Sequence, residues 1–356
     1  MVNVLGLDIG GANTKAACIQ TIEEGVIGDV SVLVEYFPVW KNPQSLVHVL
    51  RKIRSKVNGS LDVVGVTMTA ELSDSYRTKR EGVEHILGCV KEVFSDLPIY
   101  VLNTNAKLEL FRGVLVEPLG VAAANWAATG WLVSQYFENC LVVDVGSTST
   151  SIVPVIDGKV AAQGRTDFDK LVCGELVYTG SLRTNLAAIV QTVPVRGGGL
   201  STVSSELFAL SADVHLVLGN ICSEQYTCET ADGKGVTYKE ALTRLARLVC
   251  ADMEMLTEEE LLEIAGYIYE KQVQQIAKGL SQVYKRIKDV ATTKVPILTA
   301  GLGKDFLAKK AAEQIKAVDP IMDLGKLLPE KVSLAVPAVG VALMTAKQWE
   351  PETRGN

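Results

Sequence analysis

Three short segments carry the residue types that handle phosphate. The first is Asp8-Ile9-Gly10-Gly11-Ala12-Asn13-Thr14-Lys15, the second Asp144-Val145-Gly146-Ser147-Thr148, and the third Gly301-Leu302-Gly303. Glycines permit positive φ and let backbone N–H groups approach an anion without a Cβ in the way. Asn13, Thr14, Ser147 and Thr148 add neutral donors, and Lys15 adds a compact positive charge suited to a phosphate oxygen. Asp8 and Asp144 repel phosphate themselves but are suited to hold Mg²⁺, directly or through water. One such turn alone reads equally well as an ordinary tight hairpin. A second copy with the same order of carboxylate, glycine and hydroxyls favours a shared job, each copy supplying half of a metal-phosphate cage. Glu71 is the candidate general base and Asp74 the second choice, weighed against solvated loop carboxylates. Arg183 and Arg165 are candidate anion clamps, because guanidinium binds phosphate bidentately, and surface or structural arginines are the competing reading.

These residues sit where strands should end. Val2 to Ile9 and Thr14 to Gln20 predict an opening hairpin, and Leu141 to Val153 repeats the pattern of apolar run, Asp, glycine turn and apolar run. Asp62 to Thr69 predicts a buried strand delivering Glu71, and Val295 to Ala300 one delivering Gly301. Helices are expected to about Val57 after Pro43, over Arg80 to Phe94, from Pro118 to Phe137, and near the C-terminus over Ala338 to Lys347. The second half reads as mostly helical, near Ser201 to Ile221, Thr237 to Leu256 and Thr257 to Val290, with Thr257 and Glu260 forming a capping box. The repeat sets the division: lobe I over residues 1–138, completed by a C-terminal helix in 330–350, and lobe II over 139–329.

Composition narrows the function further. The 356 residues suit two lobes of roughly 150 each. Hydrophobic residues at 48% and charged residues at 21% suit a packed globular chain. A net charge of −6 without a basic run argues against nucleic acid. Leu119 to Phe137 is interrupted by Asn125 and Gln135 and falls short of the ~20 apolar residues of a membrane span. No signal-peptide pattern precedes the β-pattern at Val2, so the expected location is the cytoplasm. Seven cysteines form no Cys-x-x-Cys pair, and Cys222 with Cys228 lacks partners at zinc spacing. His48, His85 and His215 are isolated, which removes a His-rich metallohydrolase or a Ser-His-Asp triad.

Taken together, the two Asp-Gly hairpins, Thr67-Met68-Thr69-Ala70-Glu71-Leu72-Ser73-Asp74, Tyr178-Thr179-Gly180 with Arg183-Thr184, and Leu298 to Gly303 resemble the hydantoinase A/oxoprolinase-like branch of the actin/sugar-kinase/Hsp70 superfamily. More narrowly, they resemble proteins linked to tetrahydromethanopterin C1 transfer, whose archaeal members make methanofuran. The resemblance implies an α/β fold of the two-lobed, actin-like ATPase (ribonuclease H-like) type with a central cleft, in which the Gly301 and Gly303 loop packs on a nucleotide base or substitutes for that contact with substrate. It also implies a transferase that joins a furanylmethyl diphosphate to the phenol of γ-glutamyltyramine, or a tyramine or tyrosine analogue, forming an aryl ether and releasing diphosphate with Mg²⁺. The implied partners are those two small molecules, with a homo-oligomer left open. The alternatives are an ATP-dependent small-molecule kinase or a hydantoinase/oxoprolinase-like enzyme using the same loops for ATP. A non-enzymatic nucleotide switch would need a peptide-binding or polymer-forming region, which the sequence does not display.

Overall fold

The computed structural model describes residues 2–21, 27–328, 330–333 and 335–349. Among the described residues fourteen strands are formed: β1 (Val2–Ile9), β2 (Asn13–Thr21), β3 (Ile27–Tyr36), β4 (Val63–Met68), β5 (Ile99–Leu102), β6 (Leu108–Leu110), β7 (Cys140–Val145), β8 (Thr150–Ile156), β9 (Lys159–Val160), β10 (Leu176–Val177), β11 (Thr192–Val195), β12 (Gly199–Thr202), β13 (Ile297–Ala300) and β14 (Ile321–Asp323). The helices are α1 (Leu46–Lys56), α2 (Lys79–Val93), α3 (Phe111–Val114), α4 (Asn125–Ser134), α5 (Asp167–Cys173), α6 (Ser211–Val217), α7 (Tyr238–Arg247), α8 (Glu258–Lys288), α9 (Lys309–Gln314), α10 (Leu324–Leu327), α11 (Glu330–Ser333) and α12 (Val336–Gln348).

The chain folds into two compact units. The first gathers Met1–Cys140, Val153–Asp169 and Leu324–Asn356, and the second gathers Leu141–Ile152 and Lys170–Asp323. The chain therefore changes unit inside β7 and again inside β8, and Val153–Asp169 lies with the first unit rather than with the residues on either side of it. In the first unit the sheet order is β3-β2-β1-β4-β5-β6. The strands β1, β4 and β5 run parallel, so their carboxyl ends share one edge. Leu5, Leu7 and Ile9 face a core with Val64, Val66 and Met68, roofed by Leu50 and Ile53 of α1 and Ile86 and Val90 of α2. The opposite face carries Gly6 and Gly65, and α12 packs directly onto their backbones. A Cβ on Gly6 would stand 2.1 Å from the Ala338 carbonyl oxygen, and one on Gly65 2.2 Å from Thr345 Oγ1.

The second unit repeats the plan around β10-β8-β7-β13-β14, with β7, β13 and β14 parallel. Its second core joins α6, α7 and α8 through Leu242, Leu245, Ile264 and Ile268. Thr237 and Thr257 cap α7 and α8 as expected, each in a reciprocal box with Glu240 or Glu260. Arg244 and Asp213 form an enclosed pair at 2.7 Å, and the Tyr226 hydroxyl donates to the same carboxylate.

Several expected elements differ. The apolar stretch after Pro118 is a single 3₁₀ turn, Pro118–Val121, and then α4, because Ala123 adopts a left-handed backbone with φ 51° and interrupts the helix. The helix expected over Ser201 to Ile221 is confined to Ser211–Val217, and its first residues belong to the β11-β12 ribbon. The strand β3 was not anticipated. Between β8 and β9 the chain turns through Asp157-Gly158, with φ values of 50° and 65°.

Candidate functional site

At the shared edge of the first unit's sheet, β1 delivers Asp8. In the ladder Asp8 stands opposite Lys15 on one side and Thr67 on the other, and its side chain is buried. The turn closes by Gly10 N–H donating to the Asn13 carbonyl at 3.0 Å, where a Cβ on Gly10 would stand 2.8 Å from that oxygen. Gly11 has open space where its Cβ would be, and its carbonyl accepts from Val39 N–H at 2.9 Å. Asn13 and Lys15 are half-buried, whereas Thr14 is enclosed and its hydroxyl has no hydrogen-bond partner.

One strand over, β4 ends with Thr69 N–H donating to the Ile9 carbonyl at 2.9 Å, and the chain turns through the 3₁₀ segment Ala70–Leu72. That turn folds Glu71 inward, leaving it 1% exposed. The packing is possible because α2 carries Gly82 at the contact: a Cβ there would stand 2.5 Å from the Glu71 carbonyl oxygen. Neither Glu71 carboxylate oxygen has a hydrogen-bond partner. Lys79 Nζ lies 3.9 Å from Glu71 Oε1 and 2.7 Å from Asp167 Oδ2, so the lysine is held mainly by Asp167. Burial pushes the Glu71 carboxyl up to about 7, against the nearby amides and the Lys79 charge that pull it down. A carboxyl in that state exchanges a proton near neutrality. Asp74, the second candidate base, is exposed in the following turn. Arg165 is also exposed, and its guanidinium donates to the Thr104 carbonyl at 3.0 Å.

In the second unit β7 delivers Asp144, paired with Ala300 of β13. Gly301 follows with φ +82°, and a Cβ there would stand 2.4 Å from Asp144 Oδ1 and 2.3 Å from the Val145 carbonyl oxygen. Gly303 N–H donates to that same carbonyl at 3.0 Å. The 146–149 turn closes by Gly146 N–H donating to the Ser149 carbonyl at 3.0 Å. A second loop, Thr179 to Thr184, lies against it: Leu182 and Arg183 N–H both donate to the Ser147 carbonyl at 3.0 Å. A Cβ on Gly180 would stand 2.6 to 2.7 Å from the backbone of Ser147, Thr148 and Ser149. Arg183 thus joins the Ser147-Thr148 turn through its backbone and is half-buried. Tyr178, beside the same loop, is exposed rather than enclosed.

The expectation that the loop glycines take positive φ holds for Gly301 and fails for Gly10, Gly11, Gly146 and Gly303, none of which is in that region. At Gly10 and Gly303 the missing side chain matters instead, because a Cβ would strike a neighbour, whereas at Gly11 and Gly146 a Cβ would meet no clash. Among the described residues no three His, Cys, Asp or Glu side chains gather as a metal cluster. A Mg²⁺ ion commonly takes only one or two protein carboxylates and completes its shell with water and phosphate oxygens, so Asp8 and Asp144 fit as hard oxygen donors. Gly301 lets the backbone close against Asp144 Oδ1, which helps fix that carboxylate at the strand's end. Lys79 and Asp167, which lie beside Glu71, were not anticipated as parts of this site.

An α/β chain whose two units each end a central strand in an Asp-x-Gly turn, with the β1-β2 and β7-β8 strand pairs repeating, is of the actin-like class. The chain belongs to the hydantoinase/oxoprolinase family, whose model matches residues 62–348. It is 38% identical over 353 residues, 98% of this chain and 99% of the relative, to the (4-{4-[2-(γ-L-glutamylamino)ethyl]phenoxymethyl}furan-2-yl)methanamine synthase of Methanocaldococcus jannaschii. It is 33% identical over 216 residues, 60% of this chain and 93% of the relative, to the synthase of the same name from Methanococcus vannielii. Among solved structures, the nucleotide-free acetone carboxylase, described as ATP-dependent, matches with a TM-score of 0.54 at 10% identity, covering 96% of this chain and 70% of that one. That likeness is one of fold. Among the described residues no helix is long and apolar enough to cross a membrane.

Proposed function

We infer that this enzyme is a transferase that joins a furanylmethyl diphosphate to the phenol of γ-glutamyltyramine, or a close tyramine or tyrosine analogue, making the aryl ether and releasing diphosphate. The observation that carries it is the full-length 38% identity to a synthase named for that ether. The site chemistry agrees. The C–O bond to the diphosphate breaks with its electron pair leaving on oxygen, and an electron-rich furan ring stabilises the positive charge left on its methylene carbon. The phenol oxygen then forms the ether bond, and its proton must go to a base, since a phenol keeps its proton near neutrality with a pKa of about 10.

In this reading Glu71 takes that proton. Its carboxylate is buried, lacks a hydrogen-bond partner and titrates at about 7. Lys15, Asn13, Thr14 and the amides at Gly10 and Gly11 are assigned to the diphosphate in the first unit, and Gly146, Ser147, Thr148 and Arg183 in the second. Asp8 and Asp144 are each assigned as a carboxylate ligand of Mg²⁺. When bound, Mg²⁺ neutralises the charge that gathers on the leaving diphosphate. The loop at Gly301 and Gly303 is assigned to substrate, and the cytoplasm is the proposed place of action.

The test is to mix the purified protein with Mg²⁺, both substrates and no ATP, and to follow ether and diphosphate. Equal amounts of the two products support the reading. No ether, together with substrate-stimulated ADP formation once ATP is supplied, would assign the chain to the ATP-dependent members of its fold instead.

A further inference from the structure

Behind the second unit's loops runs a buried polar chain with a fixed direction. Gln272 sits on the apolar side of α8, one turn from Ile268 and Ile276, and is fully enclosed. Its amide nitrogen lies 2.8 Å from the Gly180 carbonyl oxygen and 2.9 Å from Thr179 Oγ1. A carbonyl only accepts, so the nitrogen must be the end facing it, which turns Oε1 toward His215 Nε2 at 3.0 Å. The imidazole therefore donates from Nε2 and accepts at Nδ1, where Asn220 Nδ2 stands at 3.2 Å. Burial lowers the His215 pKa to about 3, which keeps it in this neutral form at any ordinary pH. The His215 ring also packs on Phe306, at 4.6 Å between centroids, just past the Gly301 to Gly303 loop.

We propose that Asn220, His215 and Gln272 are positioning residues that hold the Thr179 to Thr184 loop, and through it the Ser147-Thr148 turn, in the shape that binds the diphosphate end of the substrate. Three features carry this. Gly180, the acceptor of the Gln272 bond, is the residue whose absent Cβ lets the loop lie against Ser147 and Thr148. The Thr150 hydroxyl, one residue past that turn, donates to the Thr179 carbonyl at 2.8 Å. Ser211 Oγ also donates to the Gly180 carbonyl, at 2.9 Å, so the loop keeps a bond when Gln272 is replaced and shifts rather than unfolds. An enclosed amide on an apolar helix face costs stability unless every group is paired, and here every group is. The inference rests on the assignment of the Ser147-Thr148 turn to phosphate.

The test uses Gln272→Met, which keeps the volume and removes both donors and the acceptor. With Mg²⁺ present, binding of inorganic diphosphate is measured by calorimetry on the full chain, beside its thermal midpoint and both KM values. A shift of the turn by a fraction of an ångström is expected to weaken diphosphate binding about tenfold. The KM for the diphosphate substrate rises in step, while the KM for the phenol stays within about twofold. If Gln272→Met does not fold, Asn220→Ala tests the chain from its half-buried end, because it removes the donor that holds the His215 ring at Nδ1 and lets that ring, with the Gln272 amide bonded to it, shift. Folded variant protein with an unchanged affinity for diphosphate overturns the proposal while leaving the phosphate assignment intact. Wild-type protein that fails to bind inorganic diphosphate at all overturns that assignment, and the proposal with it.

Discussion

Replacing Glu71 by Gln should make the protein more stable above neutral pH while removing its activity. In the unfolded chain the carboxyl titrates at its ordinary value of 4.5, and in the folded chain burial holds it at about 7. Between these values the folded state keeps a proton that the unfolded state has lost. The stability tied to this group is therefore fully present below about 4.5 and is lost as the pH rises through 7. The span corresponds to on the order of 3 kcal/mol, and with Glu71 1% exposed there is little solvent screening to reduce it. A neutral amide of the same shape carries no such dependence. Urea unfolding at pH 4 and pH 8 measures the difference, and tryptophan fluorescence is suited to it because all four tryptophans, Trp40, Trp126, Trp131 and Trp349, belong to the first unit with Glu71. The expected result is a mutant that gains about 3 kcal/mol on the wild type between the two pH values. Parallel pH dependences for the two proteins would refute the claim that burial strains this carboxylate. Such a result would also remove the reason for choosing Glu71 as the base, since a surface-like carboxylate would be fully ionised and weakly basic at neutral pH.

Two further changes probe the same geometry. Lys79→Met removes the cation 3.9 Å from Glu71 and leaves Asp167 uncompensated, so both effects raise the Glu71 pKa. The acid limb of the pH-rate profile should move up by about one unit, and an unmoved limb would separate Lys79 from the base. Gly301→Ala places a Cβ 2.4 Å from Asp144 Oδ1 on a backbone at φ +82°. It should cost about 1 to 3 kcal/mol in thermal unfolding and reduce turnover, and a variant of wild-type stability would show that the loop has room to spare.

The two hairpins were legible because each pairs an apolar run with Asp and a glycine turn, and both appear with the expected strands, β1-β2 and β7-β8. What escaped was decided at a distance. Nothing local marks Glu71 as buried; Gly82, on the next helix, opens the space, and a glycine inside a helical pattern was the available clue. Gln272 left a clearer sign, an amide on the Ile264, Ile268, Ile276 stripe of α8 where a polar side chain has no place unless it is bonded. His215 looked isolated because its partners lie on other elements, Gln272 on α8 and Phe306 past β13. The helix expected over Leu119 to Phe137 is interrupted by the left-handed Ala123, which an unbroken apolar run conceals. Strand β3 leaves little signal in the sequence because its outer residues, Val34 and Tyr36 among them, are exposed at the sheet edge and Gly28-Asp29 blurs its start.

The central claim, that a diphosphate leaves from carbon and a phenol takes its place, is tested most directly with ¹⁸O in the oxygen that joins the furan methylene to phosphorus. Without ATP, the account predicts that all of the label leaves in diphosphate and that the ether is unlabelled. Label retained in the ether, or product that forms only when ATP is consumed, would contradict it.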